Sequence, residues 1–534
     1  MQNKLIQLGD FCVNQSPALL LRSHLRFLLV ICIVSVPGYC QTQLCASCHP
    51  KEVAGYAQSG MSHSMAVAGA QPDGQFEQTS SGTTFRSVNR SGGVWQSLER
   101  SNETQQLHTA YAIGSGHHAF GYLAEIDHHL FQSPLSYYTQ RHAWDVAPGY
   151  EQAPHPDFSR PVSMECLTCH SEKPRPVANT LNTYQSPPFT GMSIECDRCH
   201  GSAAAHLKNP VPGSILNPAK LTLAARDSVC EQCHLAGEIR IPNPGKSIAD
   251  FKPGEPLENT YTVYVSAEAS TGSQIKVISH SEQLRLSTCA RRSSGKLWCG
   301  TCHNPHEKPA EPVTYYRQRC LTCHASTLPA EHAAPDSDCI GCHMPKRGAK
   351  DGGHTAFTDH RIARRPIPEG TLSIAADLTA WREPAPTLAE RNLALALATN
   401  GLQNSIPDQA IRGYKMLSRM EPSLWNDPAA LTVLGNVLLT AKQPVEAERR
   451  FARALSLRPG YAPYEVNLAS ALLAQGDLKN AHEHAERALQ LDHLLAQAVN
   501  LLNQIYRAQG ENIKAEDLLA RYRASMGIVM DKKQ

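Results

Sequence analysis

The pentapeptide Cys-x-x-Cys-His occurs seven times between residues 45 and 343 of this 534-residue chain. Each copy supplies two thiols, which can form thioether bonds to the vinyl groups of a haem, and one imidazole, which can bind the iron. Because seven porphyrins would occupy much of the interior, this repetition constrains the fold more than any helix or strand signal does. The copies are Cys45/Cys48/His49, Cys166/Cys169/His170, Cys196/Cys199/His200, Cys230/Cys233/His234, Cys299/Cys302/His303, Cys320/Cys323/His324 and Cys339/Cys342/His343.

A single Cys-x-x-Cys pair is ambiguous, since such pairs also form redox-active dithiols, disulfides and half-sites for zinc. Seven pairs that are each followed by His favour haem, because zinc binding does not require a His at that position. The motifs use fourteen of the eighteen cysteines. We therefore predict seven covalently attached c-type haems. Cys289 is left over within the motif region and is interpreted as a buried, inert thiol, with a haem-proximal sulfur or an intermolecular disulfide as alternatives.

The composition agrees with a core built around cofactors. Aromatic residues make up only 6% of the chain, whereas there are 25 histidines. The formal net charge is +2, and seven haems would add up to about fourteen ionised propionates. This balance argues against a nucleic-acid-binding protein, which would carry a strongly basic surface.

The amino-terminal segment predicts export. Arg22 and Arg26 precede an apolar run at residues 27–36, and Gly38-Tyr39-Cys40 offers a cleavage site, so residues 1–40 are interpreted as a signal peptide. The run is short for a membrane span, although a permanent anchor and a lipid-modified Cys40 are alternatives. We therefore expect a periplasmic or otherwise extracytoplasmic protein.

Further histidines could complete the iron coordination from the side opposite each motif His, and bis-His ligation favours electron exchange. His206 and His306 follow the third and fifth motifs closely, and such short tethers usually direct a His to a neighbouring haem. Met61 and His63 compete for the first haem, with Met65 as a third choice. For each candidate, a role in the core or on the surface is the alternative. The candidate distal ligands are Met61, His63, His118, His206, His280, His306, His332, His354 and His360.

Residues 80–160 contain no motif and are predicted to form a small β-rich insert that covers the first haems. Gly92-Gly93 is typical of a hairpin turn, and short apolar segments alternate with Gly, Pro and polar residues. The histidines of this insert are interpreted mainly as exposed residues on a sheet face. The lining of a substrate pocket is the alternative.

Beyond residue 365 the haem motifs stop and a helical repeat begins. Gly435, Ala469 and Asn503 are spaced by 34 residues, as are Ala447, Ala481 and Ala515. This is the tetratricopeptide period. We predict a linker at residues 366–386 and a tetratricopeptide domain at 387–525, which would dock a partner protein, form an oligomer contact or stabilise the haem domain.

Several longer strings in residues 45–365 resemble the multihaem cytochromes c with paired Cys-x-x-Cys-His motifs. This family is related to the tetrahaem cytochromes of nitrification and includes forms fused to tetratricopeptide repeats. The resemblance implies extracytoplasmic electron transfer. The strings are Gly114-Ser115-Gly116, residues 134–138 with Pro148-Gly149-Tyr150, residues 195–201, residues 279–284, Cys302-His303-Asn304-Pro305-His306, residues 342–346 and residues 357–362.

Together these patterns predict a mostly α fold, with a heptahaem cytochrome domain at residues 41–365 followed by an α-solenoid. The favoured function is an electron relay between redox partner proteins. The protein could associate peripherally with a membrane quinol-oxidising complex. The alternative is an oxidoreductase for a small nitrogen or sulfur oxyanion at an open haem. No Cys-x-x-Cys-Lys motif occurs, which favours the relay, and no catalytic residue is predicted.

Overall fold

The computed structural model describes residues 41–530, apart from 70, 102, 267–274, 329–331, 333, 335 and 365–376. The predicted leader at residues 1–40 and the first half of the predicted linker lie outside the described residues. Within the described ranges, no helix is both long enough and apolar enough to cross a bilayer.

The motif-bearing part is built from short helices. Even the two longest, with 12 and 13 residues, are of a length that is marginal for an isolated helix in water, so their stability must come from what they pack against. The helices are α1 (Gln41–Ala46), α2 (Pro50–Tyr56), α3 (Met164–His170), α4 (Asp197–His200), α5 (Ala204–Lys208), α6 (Leu223–His234), α7 (His280–Leu286), α8 (Thr288–Arg292), α9 (Cys299–Cys302), α10 (Pro312–His324) and α11 (Cys339–His343), with 3₁₀ turns at Met61–His63, Pro218–Lys220, Ile248–Asp250 and Leu257–Asn259.

An antiparallel meander lies between the first and second motifs. Its strands pair in the order β2-β3-β4-β5-β6-β7-β8, and β1 pairs with β5. The predicted hairpin at Gly92-Gly93 joins β3 to β4, and both glycines have positive φ. The strands are β1 (Met65–Val67), β2 (Gly74–Gln78), β3 (Thr83–Arg90), β4 (Gly93–Arg100), β5 (Glu103–Ile113), β6 (Phe120–Ile126), β7 (His129–Tyr138) and β8 (Ala143–Val146).

The meander curls until its first and last strands approach each other. The Trp144 indole in β8 donates a hydrogen bond of 2.8 Å to the carbonyl of Pro72, just before β2. A Cβ atom on Gly74 would overlap the same indole. The curled sheet encloses a core that includes Phe85, Tyr122, Leu135 and Phe158.

The prediction of a mostly α fold with a small β-rich insert is therefore confirmed only in part, because this sheet is large. Its inward-facing positions include many polar side chains, which weaken the alternation of apolar and polar residues by which strands are recognised. Gln105 is one of them, and its amide donates a buried hydrogen bond to the carbonyl of Met526. The inward polar residues include Thr83, Ser87, Gln96, Gln105, Thr109 and Ser133.

Three smaller antiparallel sheets hold the rest of the motif-bearing part. One of them takes its third strand from the second half of the predicted linker, so residues 378–380 are built into the fold. The pairs are β9 (Glu172–Pro176) with β10 (Tyr184–Gly191), β11 (Ile239–Pro242) with β12 (Tyr261–Ser266), β13 (Lys346–Gly348) with β14 (Ala356–Thr358), and β12 with β15 (Leu378–Ala380).

The carboxy-terminal part is a run of antiparallel helix pairs. The helices at Pro428, Ala462 and Ala496 begin 34 residues apart, as do those at Pro444, Leu478 and Asn512, as expected for tetratricopeptide repeats. The helices are α12 (Pro386–Gln403), α13 (Pro407–Leu424), α14 (Pro428–Thr440), α15 (Pro444–Leu457), α16 (Ala462–Gln475), α17 (Leu478–Leu491), α18 (Ala496–Ala508) and α19 (Asn512–Ser525).

Small residues let these helices pack closely. A Cβ atom on Gly435 would overlap the ring of Phe451, which is buried between α14 and its neighbours. The predicted spacing of small residues by 34 therefore has a packing reason, since equivalent positions in successive repeats face the shared core.

The solenoid is joined to the motif-bearing part at several places. Helix α12 packs on the sheet of β11, β12 and β15, with Ile241 and Tyr264 in the common core. The Arg382 guanidinium donates to the carboxylates of Glu231 at 2.6 Å and Glu258 at 2.9 Å. Glu231 lies inside the fourth motif, so this contact ties the motif to the first repeat. The last strand, β16 (Ile528–Met530), returns to pair with β5.

A buried His–Asp pair forms another of these junctions. His129 Nε2 in β7 lies 3.1 Å from Asp492 Oδ1, and the two side chains are only 6% and 2% exposed. Burial alone would lower the pKa of His129, but the hydrogen bonds to Asp492 and to the carbonyl of Asp127 outweigh it and raise the pKa. His129 is therefore an exception to the prediction that the histidines of this region are exposed.

Replacing this carboxylate should weaken the junction in a pH-dependent way. We expect Asp492→Asn to lower the free energy of unfolding by about 1–3 kcal/mol at pH 6, because a charge-assisted hydrogen bond is lost. A raised folded-state pKa stabilises the protein below the unfolded-state value of about 6.5, and this contribution fades as the pH rises through the folded-state pKa. Denaturant unfolding at pH 6 and pH 9 measures both effects.

A nearby exposed pair provides the control. His493 lies 3.3 Å from Asp127, and both side chains are more than half exposed. His493→Gln should change stability by less than about 1 kcal/mol, since water screens such pairs. An Asp492→Asn protein with the stability of the wild type at pH 6 would show that the buried pair contributes nothing.

Candidate functional site

Each motif lies in a helix or at the end of one, and this explains how its three side chains are presented. Side chains at positions i, i+3 and i+4 of a helix share one face. In α6 these positions are Cys230, Cys233 and His234, in the last turn. Both thiols and the imidazole therefore point to the same side, where a porphyrin edge could be bonded and its iron bound.

The motifs are not isolated along the chain but meet in space, and the fourth motif is central. The Cys169 thiol of the second motif donates to the carbonyl of Gln232 at 3.7 Å, and it also hydrogen-bonds the Cys233 thiol. The Gln232 amide donates in turn to the carbonyl of Arg198, inside the third motif, at 3.1 Å. The fourth motif thus contacts both the second and the third.

Further thiol contacts extend this array in both directions. Cys230 of the fourth motif hydrogen-bonds Cys299 of the fifth. At one end Cys196 contacts Cys45, which joins the third motif to the first. At the other end Cys320 contacts Cys339, which joins the sixth motif to the seventh. Cys302 of the fifth motif is near Cys320 and Cys323, so neighbouring motif cysteines link the first motif to the seventh.

The spacing of paired imidazoles provides a test of whether these residues fit haem. Two imidazole nitrogens that bind one iron from opposite sides at about 2.0 Å hold their ring centroids roughly 6 Å apart. Four motif histidines have another imidazole at this distance, with the ring planes inclined by 34° or less. The pairs are His49–His206 at 6.3 Å, His200–His306 at 5.8 Å, His303–His360 at 6.2 Å and His332–His343 at 6.2 Å.

The fourth motif His has a closer, edge-on neighbour. The His234 and His280 centroids are 5.0 Å apart, with ring planes at 85°. His280 is also 4.8 Å from His360. These rings, together with His303, form a cluster of imidazoles between the fourth and fifth motifs.

A haem iron needs only two protein ligands, because the porphyrin supplies the other four. Pairs of imidazoles are therefore the arrangement that haem requires. Among the described residues, no cluster of three or more His, Cys, Asp or Glu side chains is arranged to hold a bare metal ion.

Hydrogen bonds to backbone carbonyls set the tautomer of several of these rings. A carbonyl only accepts, so the Nδ1 atom that faces it must carry the proton, which leaves the Nε2 lone pair for iron. His200 donates in this way to Leu216 at 2.8 Å, His343 to Ala363 at 3.0 Å, and His360 to Thr358 at 2.9 Å. In the motif histidines His200 and His343, and in the candidate distal ligand His360, the Nε2 lone pair is thus left available to bind iron.

Burial keeps the rings of the array neutral. It lowers the pKa of His170, His234 and His303. It also lowers the pKa of His280 and His306, and neighbouring imidazoles add to the effect. The neutral imidazole is the form that binds metal.

The segment at Met61–His63 does not lie opposite the first motif His, which instead faces His206. The segment is beside the second motif, since the Ser64 hydroxyl donates to the carbonyl of His170 at 2.9 Å. His63 itself donates from Nδ1 to the carbonyl of Ser59 at 3.0 Å. This position differs from the one that a ligand of the first haem would imply, and the choice between Met61 and His63 stays a prediction.

Two other predicted distal ligands do not face a motif His. His354 forms an ion pair with Asp145 at 2.9 Å, at the end of the curled sheet. His118 stacks on Phe357 with ring centroids 4.2 Å apart, close to the cluster around His280.

Two motif histidines have no imidazole opposite them within the described part of the chain. His170 is partly buried and donates from Nδ1 to the carbonyl of Ser64 at 3.3 Å. His324, at the end of α10, is exposed. These are the positions where a haem iron could remain open or take another ligand.

Sequence reasoning missed the residues that orient the imidazoles. Leu216, Ala363 and Thr358 act through their carbonyl groups, which every residue carries, so no sequence signal could have found them. Tyr316 is different, because its hydroxyl lies 3.1 Å from His303 Nδ1. Its position four residues before Cys320 places it on the helix that carries the sixth motif. Cys289 is a half-buried free thiol near Cys302 and Cys320.

No protein-family model matches the chain, and no curated protein matches it either. Among solved structures, a crystal structure of MamA is 18% identical, with 25% of this chain and 76% of that chain covered and a TM-score of 0.23. The first TPR of Spaghetti (RPAP3) bound to an HSP90 peptide is 22% identical, with 22% and 93% covered and a TM-score of 0.20. The first TPR domain of human RPAP3 is also 22% identical, with 23% and 95% covered and a TM-score of 0.20. Similarity at this level carries no conclusion about function.

Proposed function

We propose that this chain is an exported multihaem c-type cytochrome, similar to those related to the tetrahaem cytochromes of nitrification, that relays electrons between redox partners. The observation that carries the proposal is the pairing of imidazoles across the motifs at the separation that one iron requires. Four of the seven motif histidines have another imidazole ring at 5.8–6.3 Å, and a fifth, His234, has the His280 ring edge-on at 5.0 Å. When bound, seven haems would supply one-electron carriers with closed coordination at most positions.

The contacts between motifs support a relay with a defined order. The attachment points run from the first motif through the third, fourth, fifth and sixth to the seventh, and the second joins at the fourth. The first and last motifs include exposed thiols, at Cys48 and Cys342. Cys166 of the second motif and Cys323 of the sixth are exposed as well, whereas the cysteines of the third, fourth and fifth motifs are partly buried. An electron could thus enter at one end of the array and leave at the other.

We further propose that the solenoid docks a redox partner, such as a component of a membrane quinol-oxidising complex. Ile411, Val445 and Ile513 occupy equivalent positions in three repeats and are 50%, 63% and 77% exposed. The equivalent residue of the repeat between Val445 and Ile513 is Lys479. Exposed aliphatic side chains beside a basic residue are a suitable surface for protein contact. The apolar leader sequence supports export, which would place this docking outside the cytoplasm.

Electron paramagnetic resonance of the ferric holoprotein, combined with a count of covalent haem, tests the relay. We expect seven haems per chain and low-spin signals from at least the five paired sites. Any high-spin signal should be unaffected by nitrite, hydroxylamine or sulfite. Fewer than five low-spin haems would contradict the imidazole pairs, and a chain without covalent haem would refute the proposal as a whole.

The second candidate function is an oxidoreductase for a small nitrogen or sulfur oxyanion. The observation that favours it is that His170 and His324 lack an opposing imidazole among the described residues. A stoichiometric high-spin signal that shifts on addition of nitrite, hydroxylamine or sulfite, together with turnover of that compound, would establish the enzyme over the relay.

A further inference from the structure

Helix α10 buries an arginine that has no partner within the described chain. Arg317 is only 8% exposed. Its Nη1 atom is buried and without a hydrogen-bond partner, and no carboxylate of the described residues lies within 4.0 Å of the guanidinium. An arginine side chain stays protonated in a protein, so this charge cannot be removed by losing a proton.

A buried, unpaired guanidinium is strongly unfavourable, so an anion is expected beside it. Other buried arginines of this protein follow that rule. The Arg361 guanidinium, 5% exposed, lies 2.7 Å from Asp359, and Arg391, 7% exposed, lies 2.6 Å from Asp427. Arg317 departs from the rule, because none of the described residues supplies a carboxylate to it, so an anion from a bound group is a suitable partner.

The position of Arg317 on the helix indicates which group that is. Cys320 and His324 follow it by three and seven residues, so all three side chains lie on one face of α10. That face presents the thioether and the imidazole of the sixth motif. The neighbouring turn of α10 contacts the fifth motif through Tyr316 and His303, and Cys320 contacts the seventh through Cys339. Arg317 therefore lies where three haem sites converge.

We propose that Arg317 binds a haem propionate at this convergence of the fifth, sixth and seventh sites. The inference rests on the proposed function, because the propionate belongs to a bound haem. A guanidinium presents two parallel N–H groups to a carboxylate, which makes it well suited to this role. In this position the fixed positive charge would favour the reduced state of that haem, since it offsets the negative charge of the propionate beside the iron.

Redox titration of the holoprotein tests this role. Arg317→Gln should lower the midpoint potential of one haem and leave seven covalent haems in place. Arg319→Gln is the matched control, because Arg319 belongs to the same helix but is exposed and contacts Tyr315. Water screens a charge in that position, so the control should leave the potentials nearly unchanged. Equal potentials in the wild type and Arg317→Gln would overturn the proposal, and absence of covalent haem from the wild type would instead refute the proposed function.

If the Arg317→Gln protein cannot be produced in folded form, Arg317→Lys tests the role of Arg317 instead. Lysine keeps the charge, so this variant should carry seven haems with potentials close to those of the wild type. If Arg317→Lys carries seven haems but all its potentials equal those expected of a protein without the positive charge, as for Arg317→Gln, charge at this position does not act on a haem and the proposal fails.

Discussion

Replacing Cys230 and Cys233 with serine should reduce the covalent haem count from seven to six and interrupt electron transfer between the two ends of the array. The fourth motif contacts the second, third and fifth motifs. Without its haem, the first three sites would be separated from the last three. The first three and the last three haems would still accept electrons from a strong reductant in solution. The rate of electron transfer between these two groups of haems would fall to near background.

The experiment therefore needs a measurement of transfer as well as of content. Mass spectrometry counts the haems, and equilibrium reduction by dithionite shows that the six remaining carriers are functional. A photoreducible label attached near Cys48 would then deliver single electrons to the first site. In the wild type these should reach the far end of the array, whereas in the variant they should remain on the first group.

The same replacement at the end of the array is the matched control. Cys339→Ser with Cys342→Ser also removes one haem, but the seventh motif contacts only the sixth among the thiol contacts described. Transfer from the first site to the sixth should persist in this variant. If both variants behave alike, the order of the motifs inferred from their thiol contacts is wrong.

The haem motifs were predictable from the sequence because their chemistry is local. Two thiols and an imidazole within five residues define an attachment point whatever the rest of the chain does. The repeat spacing was predictable for a similar reason, since small residues such as Ala447, Ala481 and Ala515 recur every 34 residues where paired helices approach closely. The Cys-x-x-Cys-His motifs and the 34-residue period can both be recognised in the sequence without knowledge of the tertiary fold.

The pairing of imidazoles was only partly predictable. His206 and His306 follow their motifs closely, which predicts them as candidate ligands but does not indicate which iron they would approach. His206 faces His49 of the first motif, and His306 faces His200 of the third. The two partners are more than a hundred residues apart in both pairs, so the pairing depends on how the chain folds back on itself.

The curled sheet and the junction with the solenoid could not be predicted, for physical reasons that are visible in particular residues. Inward-facing Gln96 and Gln105 conceal the strand periodicity, because both are buried polar residues: the Gln96 carbonyl accepts from the Ser133 hydroxyl, and the Gln105 amide donates to the carbonyl of Met526. Likewise Asp492 is an ordinary polar residue in the repeat sequence. Only the fold places it against His129 and makes it a buried partner.

Removal of the His206 imidazole should convert one haem from low spin to high spin while all seven haems remain attached. In the structure the His206 ring lies parallel to His49 within 27°, with centroids 6.3 Å apart. Its Nδ1 atom is 2.7 Å from the Ser214 hydroxyl, which fixes the ring orientation. His206→Ala deletes the ligand but leaves the thioethers and His49, so the iron would lose one axial bond only.

The ferric resonance spectrum measures this change, and difference spectra against a variant that lacks the first attachment cysteines assign it to the first haem. His354→Ala is the matched control, because the His354 ring pairs with Asp145 instead of facing a motif His. It should leave every low-spin signal in place. A low-spin first haem in His206→Ala would return the ligand role to Met61 or His63, and a new high-spin signal in His354→Ala would mean that the imidazole pairs seen here are not those of the loaded protein. Either result bears on the proposed relay. An iron with two axial protein ligands can exchange electrons but has no position for a substrate, whereas an iron with one open axial position can bind a substrate.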